Sequence, residues 1–411
     1  MNESATELIL IRITGEDRPG LTASVTEILA KYDVTILDIG QADIHNTLSL
    51  GILFKTEEHH SGFIMKELLF KASSLGITIR FYPISVEEYE NWVNMQGKNR
   101  YILTLLGRKL SATQISAVTR IVSDQGMNID AIKRLTGRIP LDEQKANIRS
   151  CIELSVRGNP KNQEEMQAKL LKLSGELDMD YSFQLDNMYR RMRRLICFDM
   201  DSTLIETEVI DELAMKAGVG DEVKAITESA MRGEIDFTES FRRRVELLKG
   251  LDESVMKDIA EKLPITEGVD RLMFVLKRYG YKIAILSGGF TYFGNYLKQK
   301  YGIDYVYANE LEIIDGKLTG NYLGDVVDGK RKAELLRLIA QVENVDIAQT
   351  IAVGDGANDL PMLGIAGLGI AYHAKPKVQQ NAKQSINTIG LDGVLYFLGF
   401  KDSYLDEQGK L

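Results

Sequence analysis

Cysteine, histidine and long apolar runs are all scarce in this chain. Its 411 residues include only two cysteines, Cys151 and Cys197, each in a separate strand-like run. That usage fits reduced core residues and a cytoplasmic protein better than a disulfide framework. The four histidines (His45, His59, His60, His373) show no metal-ligand spacing, which argues against a zinc site. No apolar run approaches the roughly 20 residues of a membrane span. The first residues, Met1 to Glu7, are polar and acidic, without the basic-then-apolar order of a signal peptide. Basic charge is also in deficit. With 50 Lys and Arg against 59 Asp and Glu, the net charge is −9, so a nucleic-acid surface is not expected as the main function. A small anionic substrate stays open, because a few focused positive groups and a metal can outweigh the global sign.

What is present is an ordinary globular composition, 44% hydrophobic and 27% charged, in a chain long enough for two or three domains. The first part reads as one unit used twice. Leu8–Ile13 is strand-like, Thr14–Gly20 a turn and Leu21–Tyr32 helical. Val34–Ile39 and 48–54 are strands, Ile64–Leu75 is helical and Ile77–Tyr82 extended. The order βαββαβ is ferredoxin-like. It recurs as a strand at 101–107, a helix at 111–125, strands beginning near Met127 and at 150–157, a helix at 164–173 and a strand at 179–184. A loop is expected over 136–147. Val25-Thr26-Glu27-Ile28 matches Val118-Thr119-Arg120-Ile121 at the same place in the unit, as an internal repeat should.

The second part is organised around Leu195-Ile196-Cys197-Phe198-Asp199-Met200-Asp201-Ser202-Thr203. The apolar run reads as a parallel strand buried on both faces, and ligands gather beyond the carboxyl ends of such strands. Two acids there repel unless a cation or proton intervenes. By itself the same pattern could merely cap a helix. Three later stretches add to it. Tyr281–Leu286 is a strand ending in Ser287-Gly288-Gly289, where a hydroxyl and glycine amides can hold phosphoryl oxygens. Asp328-Gly329-Lys330-Arg331-Lys332 puts lysines at a helix start. Thr350–Gly354 runs into Asp355-Gly356-Ala357-Asn358-Asp359. Four acids converging on one sheet edge imply a hard cation. Between the first two stations, residues 208 to 262 read as helices only, the pattern of a lid over the strand ends.

These stations, in this order, resemble the haloacid-dehalogenase-like hydrolases over about residues 192–400. The repeated unit resembles the ACT domain, a small module that commonly binds amino acids and pairs side by side. Asp17-Arg18-Pro19-Gly20-Leu21 matches the first ACT loop; the second copy has Arg108-Lys109-Leu110-Ser111 instead, and packing or dimerisation modules that bind nothing are the alternative. The expected fold is α/β: a C-terminal Rossmann-like parallel-sheet domain with a helical cap, preceded by two βαββαβ ACT domains. The expected boundaries are 6–90, 99–185 and 192–405, with the cap at about 208–265.

The hydrolase resemblance implies Asp199 as nucleophile, Asp201 as general acid and base, and Mg²⁺ held by Asp199, the backbone carbonyl of Asp201 and Asp355, with Asp359 behind them. Lys332 fits the family spacing for the phosphate-neutralising lysine, with Lys330 as the alternative. Ser287, Gly288 and Asn358 would contact phosphate or substrate. Within the family the stretches around Asp199–Glu208, Ala230–Gly233, Phe237–Arg244 and Leu286–Phe290 are most similar to members acting on O-phospho-L-serine. That likeness implies Glu208 for the substrate ammonium, Arg244 for its carboxylate, and Met231 and Phe237 as an apolar lid. Arg244, however, sits in an Arg242-Arg243-Arg244 run that would ordinarily be a solvated helix face. The expected activity is phosphoserine hydrolysis, the last step of serine biosynthesis, in a cytoplasmic homodimer with serine as a possible effector and no nucleic-acid or membrane partner. Another small phosphate ester or a phosphoprotein as substrate, or an amino-acid sensor with vestigial catalysis, are the competing readings.

Overall fold

The computed structural model describes residues 6–94, 97, 99–138 and 148–405. They fall into two compact units, divided at 98/99.

In the first unit, β1 (Thr6–Glu16), α1 (Leu21–Ala30), β2 (Thr35–Ile44), β3 (Thr47–Glu57), α2 (Glu58–Leu75) and β4 (Thr78–Ile84) follow the expected βαββαβ order. The antiparallel sheet runs β2-β3-β1-β4. Alternate residues Ile9, Ile11 and Ile13 of β1 and Leu48, Leu50, Ile52 and Phe54 of β3 pack under Val25 and Leu29 of α1 and Ile64 and Leu68 of α2. The period of two puts one face on the helices. A further helix, α3 (Val86–Asn94), follows β4.

The second unit opens with the same topology. β5 (Arg100–Gly107), α4 (Ala112–Asp124), β6 (Asn128–Arg134), β7 (Ser150–Arg157), α5 (Gln163–Leu177) and β8 (Asp180–Leu185) pair in the order β8-β5-β7-β6. Most of the loop expected at 136–147 lies outside the described residues. After α6 (Met188–Arg191) comes β9 (Leu195–Phe198), every residue of it buried. Leu195 and Cys197 face one core, with Leu335, Leu336 and Ile339. Ile196 and Phe198 face another, with Leu272 and Leu276. Cover on both faces is why this strand has no polar residues.

Four helices follow β9: α7 (Val209–Ala217), α8 (Gly220–Met231), α9 (Phe237–Glu246) and α10 (Ser254–Ala260). The chain then returns through α11 (Val269–Arg278), β10 (Lys282–Phe290), α12 (Thr291–Tyr301) and the hairpin β11 (Tyr305–Ile314) and β12 (Lys317–Leu323). It ends with α13 (Gly329–Val342), β13 (Thr350–Gly354), α14 (Leu360–Ile365), β14 (Leu368–Tyr372), α15 (Pro376–Asn381), β15 (Gln384–Ile386), α16 (Gly393–Phe397) and α17 (Asp402–Leu405). β9 lies between β10 and β13, parallel to both. β15 pairs antiparallel with β8 through Ser385 and Tyr181, so the ferredoxin-like sheet and the parallel sheet form one sheet of 11 strands. Both cysteines are free and buried, and among the described residues no helix is long and apolar enough to cross a membrane.

Candidate active site at the strand ends

The ends of β9, β10 and β13 and the start of α13 meet at one sheet edge. Register explains why: Phe198 pairs with both Ile285 and Val353, so Asp199, the Ser287 turn and the Asp355 turn leave the sheet at nearly the same level. The Asp199 amide donates to Val353 O at 2.9 Å, tying the first turn to β13.

Lys332 is wholly buried there. Its Nζ is 2.8 Å from Asp199 Oδ2 and donates to Asp359 Oδ1 at 2.7 Å. Burial works to lower its pKa, but the charges of Asp199 and Asp359 outweigh burial and hold the ammonium. Lys330, two residues earlier, points outward with 85% of its side chain exposed. α13 presents these two positions in different directions.

The acids divide by their partners. Asp199 Oδ1 accepts from the Met200 amide at 2.7 Å. Asp359 Oδ2 accepts from the Gly356 amide at 2.9 Å, and its carboxyl is pushed up to about 7, mainly by burial and then by Asp199. Asp355 is hydrogen-bonded by Thr203 Oγ1 at 3.2 Å; burial, Asp199 and Asp359 push it up to about 8. Asp201 is buried and its Oδ1 accepts a long bond, 3.4 Å, from the Val209 amide at the start of α7. Burial first, then Glu208 and Asp199, raise it well above the usual carboxylate range.

Carboxylate oxygens of Asp199, Asp355 and Asp359 lie within 4.8 Å of one another. An all-oxygen set with this much mutual repulsion fits a hard divalent cation. The carboxylate of Asp201 is not in that group. The Asp359 carboxylate already serves Lys332 and Gly356.

Ser287 is fully buried and its Oγ accepts from the Gly289 amide at 3.0 Å. Phe237 Cζ from the helical segment packs closely on Gly288, 3.0 Å from where a Cβ would stand. Phe237 in turn stacks on Phe241. Asn358 is half-buried in the turn after Asp355. Met231 ends α8, and its side chain lies outside the described residues.

The arginine run divides on α9. Arg242 and Arg243 both pair with Glu239 on the exposed side. Arg244 is half-buried with its Nε donating to Ser240 O at 3.3 Å; desolvation lowers its pKa, against the charges of Glu208, Asp211 and Asp201. Glu208, the N-cap of α7, takes a 2.9 Å bond from Ser202 Oγ. Its outer surface is exposed, yet the protein atoms around its carboxyl raise the pKa by desolvation, with Asp199 and Asp211 adding and Arg244 opposing. Ser202 sits at φ +55°, a left-handed conformation in the turn that leads from Asp201 towards Glu208.

Sequence reasoning missed Asn309. Buried in β11, it donates from Nδ2 to Gly288 O at 2.7 Å and accepts from the Val327 amide at 2.8 Å. It thereby ties the Ser287 turn to the approach to α13. A lone Asn in a strand carries no signal of that kind. In the first unit, Glu57, His59 and His60 also come together at the start of α2, with ligand-type atoms within 4.8 Å of one another. The histidine spacing gave no reason to expect this grouping.

Profiles of the ACT domain match residues 7–82 and 100–184, and that of the haloacid dehalogenase-like hydrolases matches 196–364. A phosphoserine phosphatase of Streptomyces coelicolor is 38% identical over 397 residues, covering 95% of this chain and 92% of that protein. One of Mycobacterium tuberculosis is 38% identical over 392 residues, covering 95% and 93%. The chain belongs to the phosphoserine phosphatase family. Among solved structures, a probable phosphoserine phosphatase from Vibrio cholerae, unliganded, superposes with a TM-score of 0.57 at 35% identity, over 76% of this chain and 90% of that one. A haloacid-dehalogenase family hydrolase from Salmonella enterica serovar Typhi gives 0.62 at 30% identity, over 72% and 98%.

Proposed function

We propose that this enzyme hydrolyses O-phospho-L-serine to L-serine and phosphate, the last step of serine biosynthesis. The observation that carries the reading is Asp199, buried against Lys332, with Glu208 and Arg244 near enough for their charges to act on each other and on the acids after β9. Asp199 attacks phosphorus, forming a bond to its carboxylate as the bond to the serine oxygen breaks. Asp201, whose raised pKa favours the protonated form, gives its proton to that departing oxygen. It then takes a proton from the water that attacks the aspartyl phosphate, releasing phosphate and restoring Asp199. Lys332, Ser287 and the amide of Gly288 offset charge on the phosphoryl oxygens, with Asn358 beside them.

Mg²⁺ held by Asp199, the backbone carbonyl of Asp201 and Asp355 would supply electrostatic stabilisation of the same oxygens. Glu208 receives the substrate ammonium and Arg244 its carboxylate, while Phe237 and Met231 close over them. In this reading residues 6–90 and 99–185 are ACT modules, and 192–405 the catalytic domain with a cap at about 208–265. We assign the enzyme to the cytoplasm, as a homodimer paired through its ACT modules. The exposed Ile36, Ile39 and Ile44 on edge strand β2 support that pairing. An amino-acid effector such as serine is placed at the first copy, where α1 starts at Gly20 (φ +85°) without a side-chain cap. In the second copy the start of α4 is closed by a capping box of Ser111 and Gln114.

The test is phosphate release from L-phosphoserine, with Mg²⁺ and with EDTA, beside a panel of other phosphate esters. Metal-dependent preference for phosphoserine, abolished in Asp199→Asn with folding retained, is expected. Equal turnover of unrelated esters would overturn the roles of Glu208 and Arg244. Full activity in Asp199→Asn would overturn the mechanism.

A further inference from the structure

The two strands that carry the chain into and out of the helical cap pair with each other. Ile205 bridges Ile265, the Glu206 amide donates to Pro264 O at 2.9 Å, and the Thr266 amide donates to Leu204 O at 3.1 Å. This short ladder joins the cap to the parallel-sheet core, where a hinge for any cap movement would lie, with Glu208 two residues beyond Glu206. The next residue on the exit strand, Glu267, is held by a side chain from a distant part of the chain. Arg108 Nη2 donates to Glu267 Oε2 at 2.6 Å, while its Nε donates to Thr388 O at 3.1 Å. Arg108 lies in the loop between β5 and α4. That loop is the second-copy counterpart of Asp17–Leu21.

The surface under that loop is fixed as well. Asp180 of β8 accepts from the Asn387 and Thr388 amides at 2.7 and 3.0 Å and from Thr388 Oγ1 at 2.6 Å. The Leu391 amide donates to Glu267 O at 2.7 Å. The Arg108 guanidinium thus bridges Thr388, just after β15, and Glu267, beside the cap ladder. Phe237 of the cap lies against Gly288 at the strand ends.

We infer that Arg108 is a positioning residue for the reaction: the loop of the second ferredoxin-like copy clamps the exit strand of the cap hinge and so favours the closed cap that brings Glu208 and Arg244 to the substrate. The inference rests on the phosphoserine reading only for which substrate feels the closure. The clamp itself is local to the hinge. With both side chains 40% exposed, the pair is of moderate strength.

Arg108→Ala should raise the KM for phosphoserine about fivefold with kcat changed less than about twofold. Hydrolysis of p-nitrophenyl phosphate, which offers nothing to Glu208 or Arg244, should move by less than about twofold. Amide exchange should quicken at Glu206 and Thr266 and not across the sheet. The double variant Arg108→Glu with Glu267→Arg should restore both readouts. Exchange that quickens throughout the unit, with both substrates losing equally, would make Arg108 a fold support and overturn the inference. Unchanged KM and unchanged hinge exchange would also overturn it. A parent enzyme inactive on phosphoserine would instead overturn the substrate reading, and hinge exchange would then decide the clamp by itself.

Discussion

Replacing Lys332 by methionine keeps the volume of the site's floor and removes a fully buried cation. The ammonium makes two charge-assisted bonds, 2.8 Å to Asp199 and 2.7 Å to Asp359, and no part of it is exposed. At about 2 kcal/mol each, the two bonds set the expected loss of stability near 4 kcal/mol, within the range for breaking a buried ion pair. The loss arises because Asp199 and Asp359 stay behind, buried and facing each other. Urea unfolding at neutral pH in EDTA measures it as a lower midpoint at unchanged slope. Adding Mg²⁺ should recover more stability in the variant than in the parent, since the ion then supplies the missing counter-charge. A variant within 1 kcal/mol of the parent in EDTA, by order of magnitude indistinguishable from it, would refute this account of the charge balance. Turnover should be lost in either case, because the proposed mechanism has the same lysine offset charge on the phosphoryl oxygens.

Arg244→Ala should lower kcat/KM for phosphoserine by about 100-fold, as for a lost charge-assisted carboxylate contact, and lower it much less for phosphoethanolamine, which lacks the carboxylate. Steady-state kinetics on the two substrates check this; equal losses would place Arg244 outside the binding site. Asp180 offers a pH test. Burial pushes its carboxyl from 3.8 to about 6 against its three hydrogen bonds. Between those values the unfolded chain loses the proton first, so the stability this group contributes below pH 4 falls as pH rises. The drop is about 3 kcal/mol by pH 7. The stability difference between parent and Asp180→Asn, followed by urea titration from pH 4 to pH 7, should move by about 2.5 kcal/mol in the variant's favour. A flat difference would refute the shift. Gly268→Ala should cost more than about 3 kcal/mol, seen as a lower denaturation midpoint. Gly268 has φ +86°, and an added Cβ would run into the buried Asp392 carboxylate that Arg149 and Arg271 hold.

Much of the site was legible because chemistry gathers where apolar strands stop. Asp199, Ser287 and Asp355 each follow a run too hydrophobic to be anything but a strand covered on both faces, and a shared register then brings their turns together. Arg244 was legible only through its spacing from Phe237. Along the sequence it is indistinguishable from Arg242 and Arg243, and only the turn of α9, with Glu239 drawing the other two outward, singles it out. Lys332 and Lys330 were likewise separated by which face of α13 meets the sheet. Asn309 carried no signal, since its role is set by two backbone groups distant in the chain.

The sequence by itself determined the two βαββαβ units, the parallel-sheet domain and the order of the turns at its strand ends. Those depend on periodicity, turn residues and local spacing, all properties of neighbouring residues. Only the tertiary structure decided that the second copy extends the catalytic sheet through β8 and β15, and that Arg108 meets Glu267 across 159 positions. Sheet-edge pairing uses backbone groups that every residue carries, and an ion pair between remote loops depends on how whole layers pack. Neither leaves a pattern that can be read along the chain.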